Sequence, residues 1–247
     1  MLCRILTFVQ FPDVNIYTGA WKSLRFKNVF SIIGPSMVGP SSSHTAGAVR
    51  IGRVARQLLG CQPEKAQMTL FGSFAETYWG HGTDLALTAG LLNFDTDDER
   101  IPEADIEAEK VGMVMEWIQG KGNGPHPNSV KIMLTAGERK AEIVAASIGG
   151  GTIAVYSLNG FDVQITGEYP TIAVTHSDSQ GVLANMTSLL SCEGINIGYM
   201  DVDRKGRSEA AMTVFELDTA PTGSLIEEML RLPHILEVTM IDLTQRS

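Results

Sequence analysis

TIAVTH (171–176), GVLANMTSLLSCEG (181–194), INIGYMDVDR (195–204), EAAMTVFELD (209–218), SLIEEMLRL (224–232) and LEVTMIDL (236–243) follow one another with short polar joints. The first, third, fourth and sixth segments have the short, β-branched, alternating character of strands. The second and fifth carry apolar residues at helical spacing, and Gly194 stands where the first of these helices should stop. The order βαββαβ is that of a ferredoxin-like unit. Its start is placed near Gly167–Tyr169, which separates a C-terminal domain, 168–247, from an N-terminal one, 24–167.

Moving upstream, TIAVYSL (152–158) and FDVQITGE (161–168) alternate as strands and are joined by Asn159–Gly160, a strong short-range hairpin signal. Gly149, Gly150 and Gly151 break the chain before them, after the strands VKIMLTA (130–136) and KAEIVAASI (140–148). AQMTLFGSF (66–74) reads as a strand ending at Gly72 and Ser73. AGAVRIGRVARQLLG (46–60) and DLALTAGLLNF (84–94) read as helices, the first with a stop at Gly60. Acidic DTDDERIPEADIEAEK (95–110) is a loop leading to a solvated helical or edge segment. Residues 1–23 have no clear period and are expected to be an N-terminal extension outside the fold. The fold class is therefore α+β.

The formal net charge of −9 argues against a nucleic-acid partner, which a basic face would serve. Arg50, Arg53 and Arg56 share one helical face, as a partner-facing strip or, as charge runs more often are, a solvated one. No apolar run reaches the ~18–20 residues of a membrane span and no secretory signal is evident, so the cytoplasm is the expected location. Cys3, Cys61 and Cys192 are scattered, without ligand spacing, as in a reducing compartment. They give this chain no cysteine frame for an iron–sulfur cluster and no metal site.

The N-terminal domain holds three histidines, each in a Gly-bearing loop: His44 in PSSSHTAG (40–47), His81 in WGHGTD (79–84) and His126 in GPHPNS (124–129). Loops at element ends collect catalytic groups, and three of them can converge on one cleft. The first delivers Ser41, Ser42, Ser43, His44 and Thr45 to a helix start. Backbone N–H groups there lack partners and favour an anion such as a carboxylate. A neighbouring imidazole suits proton transfer on a small acidic substrate. In the second loop Asp84 either caps the following helix or orients an imidazole.

IGPSMVGPSSSHTAGAVRIGRVAR (33–56), FGSFAETYWGHGTDLAL (71–87), HPNSVKI (126–132) and SIGGG (147–151), in that order and ahead of the βαββαβ tail, resemble the beta subunit of iron–sulfur-dependent L-serine dehydratase. The likeness covers residues 24–245, and GPSSSHT with a downstream GHGTD is its specific part. The resemblance implies elimination of water from L-serine, giving aminoacrylate and then pyruvate and ammonia, without pyridoxal phosphate. It implies a [4Fe–4S] cluster, acting as Lewis acid for the departing hydroxyl, whose cysteines lie on a separate alpha chain. It also implies that the first domain is of the allosteric-substrate-binding type, called here the serine dehydratase beta domain. The tail would be an ACT domain, the type that senses amino acids, and a homodimer through either domain is expected.

Carried over residue by residue, the family's proposed bases fall on His81 and His126. They rank in the order His81, His126, His44, with Ser41, Ser42, Ser43, Thr45 and Asp84 at the substrate end. HSDSQGV (176–182) followed by GINI (194–197) resembles the serine-holding loop and strand of the phosphoglycerate dehydrogenase ACT domain. That points to His176, Asp178 and Asn196 as effector ligands. The family's loop usually has asparagine at position 178; a carboxylate there repels a ligand carboxylate but attracts an ammonium. The competing reading is a regulatory protein that binds serine or a related amino acid and carries no catalytic group. A dehydrogenase is disfavoured, since no GxGxxG follows a strand.

Overall fold

The structure, a computed structural model, describes residues 35–122, 124–207 and 209–245. The N-terminal extension and the approach segment up to residue 34 lie outside the described residues. A π-helical turn, Ser42–Ala46, runs directly into helix α1 (Gly47–Leu59), which stops at Gly60 in the left-handed conformation, φ 74°. Strand β1 (Lys65–Phe71) leads to helices α2 (Gly72–His81) and α3 (Thr83–Leu91) and to a short α4 (Ala104–Lys110). Then come β2 (Val114–Gln119), β3 (Ser129–Ala136), β4 (Arg139–Gly149), β5 (Thr152–Leu158) and β6 (Phe161–Ile165). These strands form one sheet in the order β2-β1-β3-β4-β5-β6.

Only the β1–β2 pairing in this sheet is parallel, because α2, α3 and α4 form the crossover that a parallel pair requires. Asn159 (φ 49°) and Gly160 (φ 76°) turn β5 into β6 in two residues, the geometry the Asn-Gly pair favours. Strand β2 had no counterpart in the sequence reading. It is an edge strand with Glu116 and Gln119 among its six residues, and its alternation is weak.

Helices α1 and α3 cross at backbone contact. A Cβ on Gly52 would sit 2.5 Å from the Leu87 carbonyl oxygen, and one on Gly90 would sit 2.2 Å from that of Val49. Neither neighbour is a side chain that can swing aside. Gly52→Ala is therefore expected to lower stability by about 1–3 kcal/mol, as overpacking does. Denaturant unfolding should show a lower midpoint at an unchanged m-value.

The tail is β7 (Thr171–Ser177), α5 (Val182–Cys192), β8 (Ile197–Arg204), β9 (Ala210–Leu217), α6 (Gly223–Arg231) and β10 (Ile235–Ile241). Its antiparallel sheet runs β10-β7-β9-β8, the βαββαβ arrangement expected of these segments. Helices α5 and α6 bury Val182, Met186, Leu190, Leu225 and Met229 against Ile172, Val174 and Phe215 on one sheet face. From the sheet's other side Ala173, Met212, Val214 and Ile241 join the main core, with Val155, Val163 and Ile165. Among the described residues no helix is long and apolar enough to cross a membrane.

The arginine strip of α1 is not solvated. Arg50 donates to the carbonyls of Gly151 and Gly167, each at 3.0 Å, and pairs with Glu168 at 2.9 Å. Arg53 is only 4% exposed; it pairs with Asp95 and donates to the Gln245 carbonyl at 3.1 Å. One turn on, Gln57 exchanges two hydrogen bonds with the backbone of Asp242. The polar face of α1 is thus buried beneath the last residues of the tail and the segment that leads into it.

Candidate active site

Ser41 caps the π-turn: its hydroxyl oxygen accepts from the His44 N–H at 3.2 Å. Thr45 N–H bonds Ser41 O at 2.8 Å, while the Ser42 and Ser43 N–H groups come too early in the helix for an intrahelical acceptor. They are the donors available to an anion at this helix start. Thr45 does not face that opening. It is 3% exposed and wedged beneath Gly39, whose added Cβ would lie 2.5 Å from its Oγ1.

The His44 ring lies edge-on to two others, Phe74 at 5.4 Å and His81 at 4.8 Å between centroids. Its Nε2 is 3.2 Å from Thr77 Oγ1 and its Nδ1 is 3.4 Å from Ser41 Oγ. Burial, and secondarily the charge His81 can carry, hold His44 below the usual imidazole range. His44 is therefore neutral at pH 7.

The sequence stretch GHGTD is not a loop. His81 ends α2 and a single left-handed residue, Gly82 (φ 68°), separates it from α3. This sharp joint presents an exposed His81 ring beside His44. Asp84 plays neither of its expected parts, since α3 has no side-chain cap and Asp84 bonds neither imidazole. Its Oδ1 is buried with no partner among the described residues, and burial raises the carboxyl's pKa, a rise that the backbone N–H groups of Leu85 and Asp84 offset only in part. Raising the native value means the unfolded chain ionises first, so this group costs stability above the ordinary carboxylate range. Asp84→Asn should raise Tm at neutral pH by about 2 °C, readable by thermal melting; a lower Tm would show that the charge has a stabilising partner.

His126 sits in a tight turn in which its N–H bonds Ser129 Oγ at 2.9 Å and its Nδ1 accepts from the Asn128 N–H at 3.2 Å. The turn lies on the first residues of α2: Phe74 N–H reaches the Pro127 carbonyl at 3.4 Å, and a Cβ on Gly72 would meet that oxygen at 2.6 Å. The His44–His81 pair and the His126 turn therefore flank one helix, with Phe74 touching both. Trp79, two residues before His81, is 73% exposed, more than any other large apolar side chain among the described residues.

Residues 27–123 match the family model described as serine dehydratase beta chain. The beta chain of a probable L-serine dehydratase of Bacillus subtilis (strain 168) is 45% identical over 218 residues, 88% of this chain and 99% of that one. The chain belongs to the L-serine dehydratase beta-chain family. The L-serine dehydratase beta chain of Peptoniphilus asaccharolyticus is 36% identical over 205 residues, 82% of this chain and 92% of that one. A D-3-phosphoglycerate dehydrogenase of Bacillus subtilis is 24% identical over 163 residues, 64% of this chain but 30% of that one.

In this beta chain the three effector candidates do not meet. His176 is 3% exposed, its Nε2 2.8 Å from Thr213 Oγ1 and its Nδ1 3.0 Å from the Ser177 carbonyl. Asp178 pairs with Arg204 at 3.1 Å, and Asn196 donates to Asp218 at 2.7 Å. Strands β7 and β8 both run antiparallel to β9, hence parallel to each other. Asp178 follows the end of β7 and Asn196 precedes the start of β8, so they lie at opposite ends of the sheet. Their strand neighbours, Ser177 and Ile197, pair with Ala210 and Leu217 of β9, on the order of 20 Å apart at strand rise. Phe74, Thr77 and Trp79 carry no sequence signal as site residues, except that Thr77 lies one helical turn before His81.

Proposed function

We propose that this beta chain is the proton-handling half of an L-serine dehydratase, which deaminates L-serine to pyruvate and ammonia and is active only with an alpha chain. The contact of His44 with His81 beside the first N–H groups of the helix, those of Ser42 and Ser43, carries the reading. The substrate carboxylate sits at that helix start, with Ser41, Ser42 and Ser43 around it. His81, exposed and next to a neutral imidazole, takes the weakly acidic Cα proton; His126, across α2, is the second candidate. His44 orients rather than accepts.

The [4Fe–4S] cluster belongs, in this reading, to the alpha chain, and pyridoxal phosphate has no part. The described residues of this chain do not fit such a cluster: Cys61 and Cys192 are free, one after α1 and one ending α5, and no three potential metal ligands come together. The alpha chain covers the His81 side, where Trp79 offers apolar surface. Trp79→Ala should weaken the complex about tenfold or more, as loss of an aromatic anchor does, and size-exclusion of the mixed chains reads this.

In this reading residues 24–167 are the serine dehydratase beta domain and 168–247 an ACT domain, and the phosphoglycerate dehydrogenase likeness favours an ACT-like regulatory unit. With His176 internally bonded, an effector amino acid is left Asp178 and Asn196. One copy cannot bring these together, so a ligand touching both bridges two copies in a homodimer. The enzyme is placed in the cytoplasm. Anaerobic co-expression with the alpha chain tests the catalytic part. If pyruvate formation survives both His81→Ala and His126→Ala unchanged, the chain is a regulatory protein instead.

A further inference from the structure

We propose that Thr77 is a positioning residue that fixes His44 as the Nε2–H tautomer and so turns a bare Nδ1 toward Ser41. The assignment follows from counting protons. A threonine hydroxyl has one proton, and that of Thr77 is committed to the Ser73 carbonyl 2.7 Å away, one turn back along α2. Its oxygen then has only lone pairs for His44 Nε2 at 3.2 Å, so the ring nitrogen must donate. A neutral imidazole has a single N–H, which leaves Nδ1 as an acceptor.

The other end of the chain agrees. Ser41 Oγ accepts from the His44 backbone N–H through a lone pair and keeps its own proton, which points to Nδ1 at 3.4 Å. Every link thus has one direction: Ser41 hydroxyl to Nδ1, Nε2–H to Thr77, Thr77 hydroxyl to the Ser73 carbonyl. Reversing the Thr77 link would place a carbonyl oxygen 2.7 Å from a hydroxyl oxygen with no proton between them. Packing of Phe74 and His81 fixes the ring plane but does not distinguish the two nitrogens. The Thr77 hydroxyl does.

The consequence for catalysis rests on the dehydratase reading: a His44 with the wrong nitrogen protonated turns an N–H on Ser41 and disturbs the helix start that receives substrate. The test uses the full chain labelled with 15N-histidine at neutral pH, His44 being assigned by the resonances lost in His44→Gln. The wild type should show His44 with Nε2 protonated and Nδ1 bare. Thr77→Val, similar in shape but without the hydroxyl, should mix the tautomers, and Thr77→Ser should restore the wild-type pattern. In the complex with the alpha chain, Thr77→Val should lower kcat/KM about threefold to tenfold, mainly through a raised KM for L-serine, and Thr77→Ser should recover it.

A wild-type His44 protonated at Nδ1, or a Thr77→Val spectrum identical to wild type, overturns the proposal. If the tautomers mix but kcat/KM holds, the positioning by Thr77 stands and the part of His44 in receiving substrate falls.

Discussion

His81→Ala lowers kcat for pyruvate formation by about 10²- to 10⁴-fold in the assembled enzyme, the usual worth of a positioned acid–base group, with a smaller change in KM. The exposed His81 and the half-buried His44 have unequal roles because of where each ring sits. His44 is held below 6.5 chiefly by burial and then by His81. Removing His81 deletes the smaller cause, so in His81→Ala the His44 pKa should rise while staying depressed, which histidine NMR titration can follow. Linkage gives a second check. Below 6.5 the unfolded chain takes up a proton that native His44 declines. The stability contributed by His44 is therefore complete above that value and is lost as pH falls through it. A His81→Ala enzyme with unaltered kcat would remove the base from the account.

Arg53→Ala should destabilise the chain by about 3 kcal/mol, because it takes a buried cation out from between Asp95 and the Gln245 carbonyl and leaves the space it filled. Removing one partner of a buried pair costs more than the pair contributes, since the other charge stays desolvated. The loss is read as a lower urea midpoint. The effect should exceed that of Arg50→Ala, whose partner Glu168 is 45% exposed and can turn to water. Because α1 begins at the Ser41–His44 turn and its polar face grips the tail, the same substitution should also loosen that turn. Faster amide exchange at residues 41–46 in Arg53→Ala is the corresponding observation.

Much of the fold was legible in the sequence. The tail's strands and helices have clear periods, Gly60 and Gly194 mark real stops, and Asn159–Gly160 makes the turn its chemistry favours. What was not legible depended on partners distant in sequence. Strand β2 owes its place to pairing with β1 at a sheet edge, where half its residues face water. The arginine face of α1 looks solvated until residues 167, 168 and 245 fold over it. The separation of Asp178 from Asn196 follows from the helix Val182–Cys192 carrying the chain back between parallel β7 and β8, a consequence of the βαββαβ order that residue matching by motif alone overlooks. At the site, the pairing of His44 with His81 followed from the two motifs being there together, but Thr77 and Phe74 matter only through contacts across 33 and 30 residues.

The most direct measurement mixes separately purified chains under anaerobic conditions and follows pyruvate as this chain is titrated into a fixed amount of alpha chain. The account predicts no turnover by either chain alone, and activity that rises with added beta chain until the complex is saturated. An alpha chain that forms pyruvate from L-serine at the full rate by itself would contradict it.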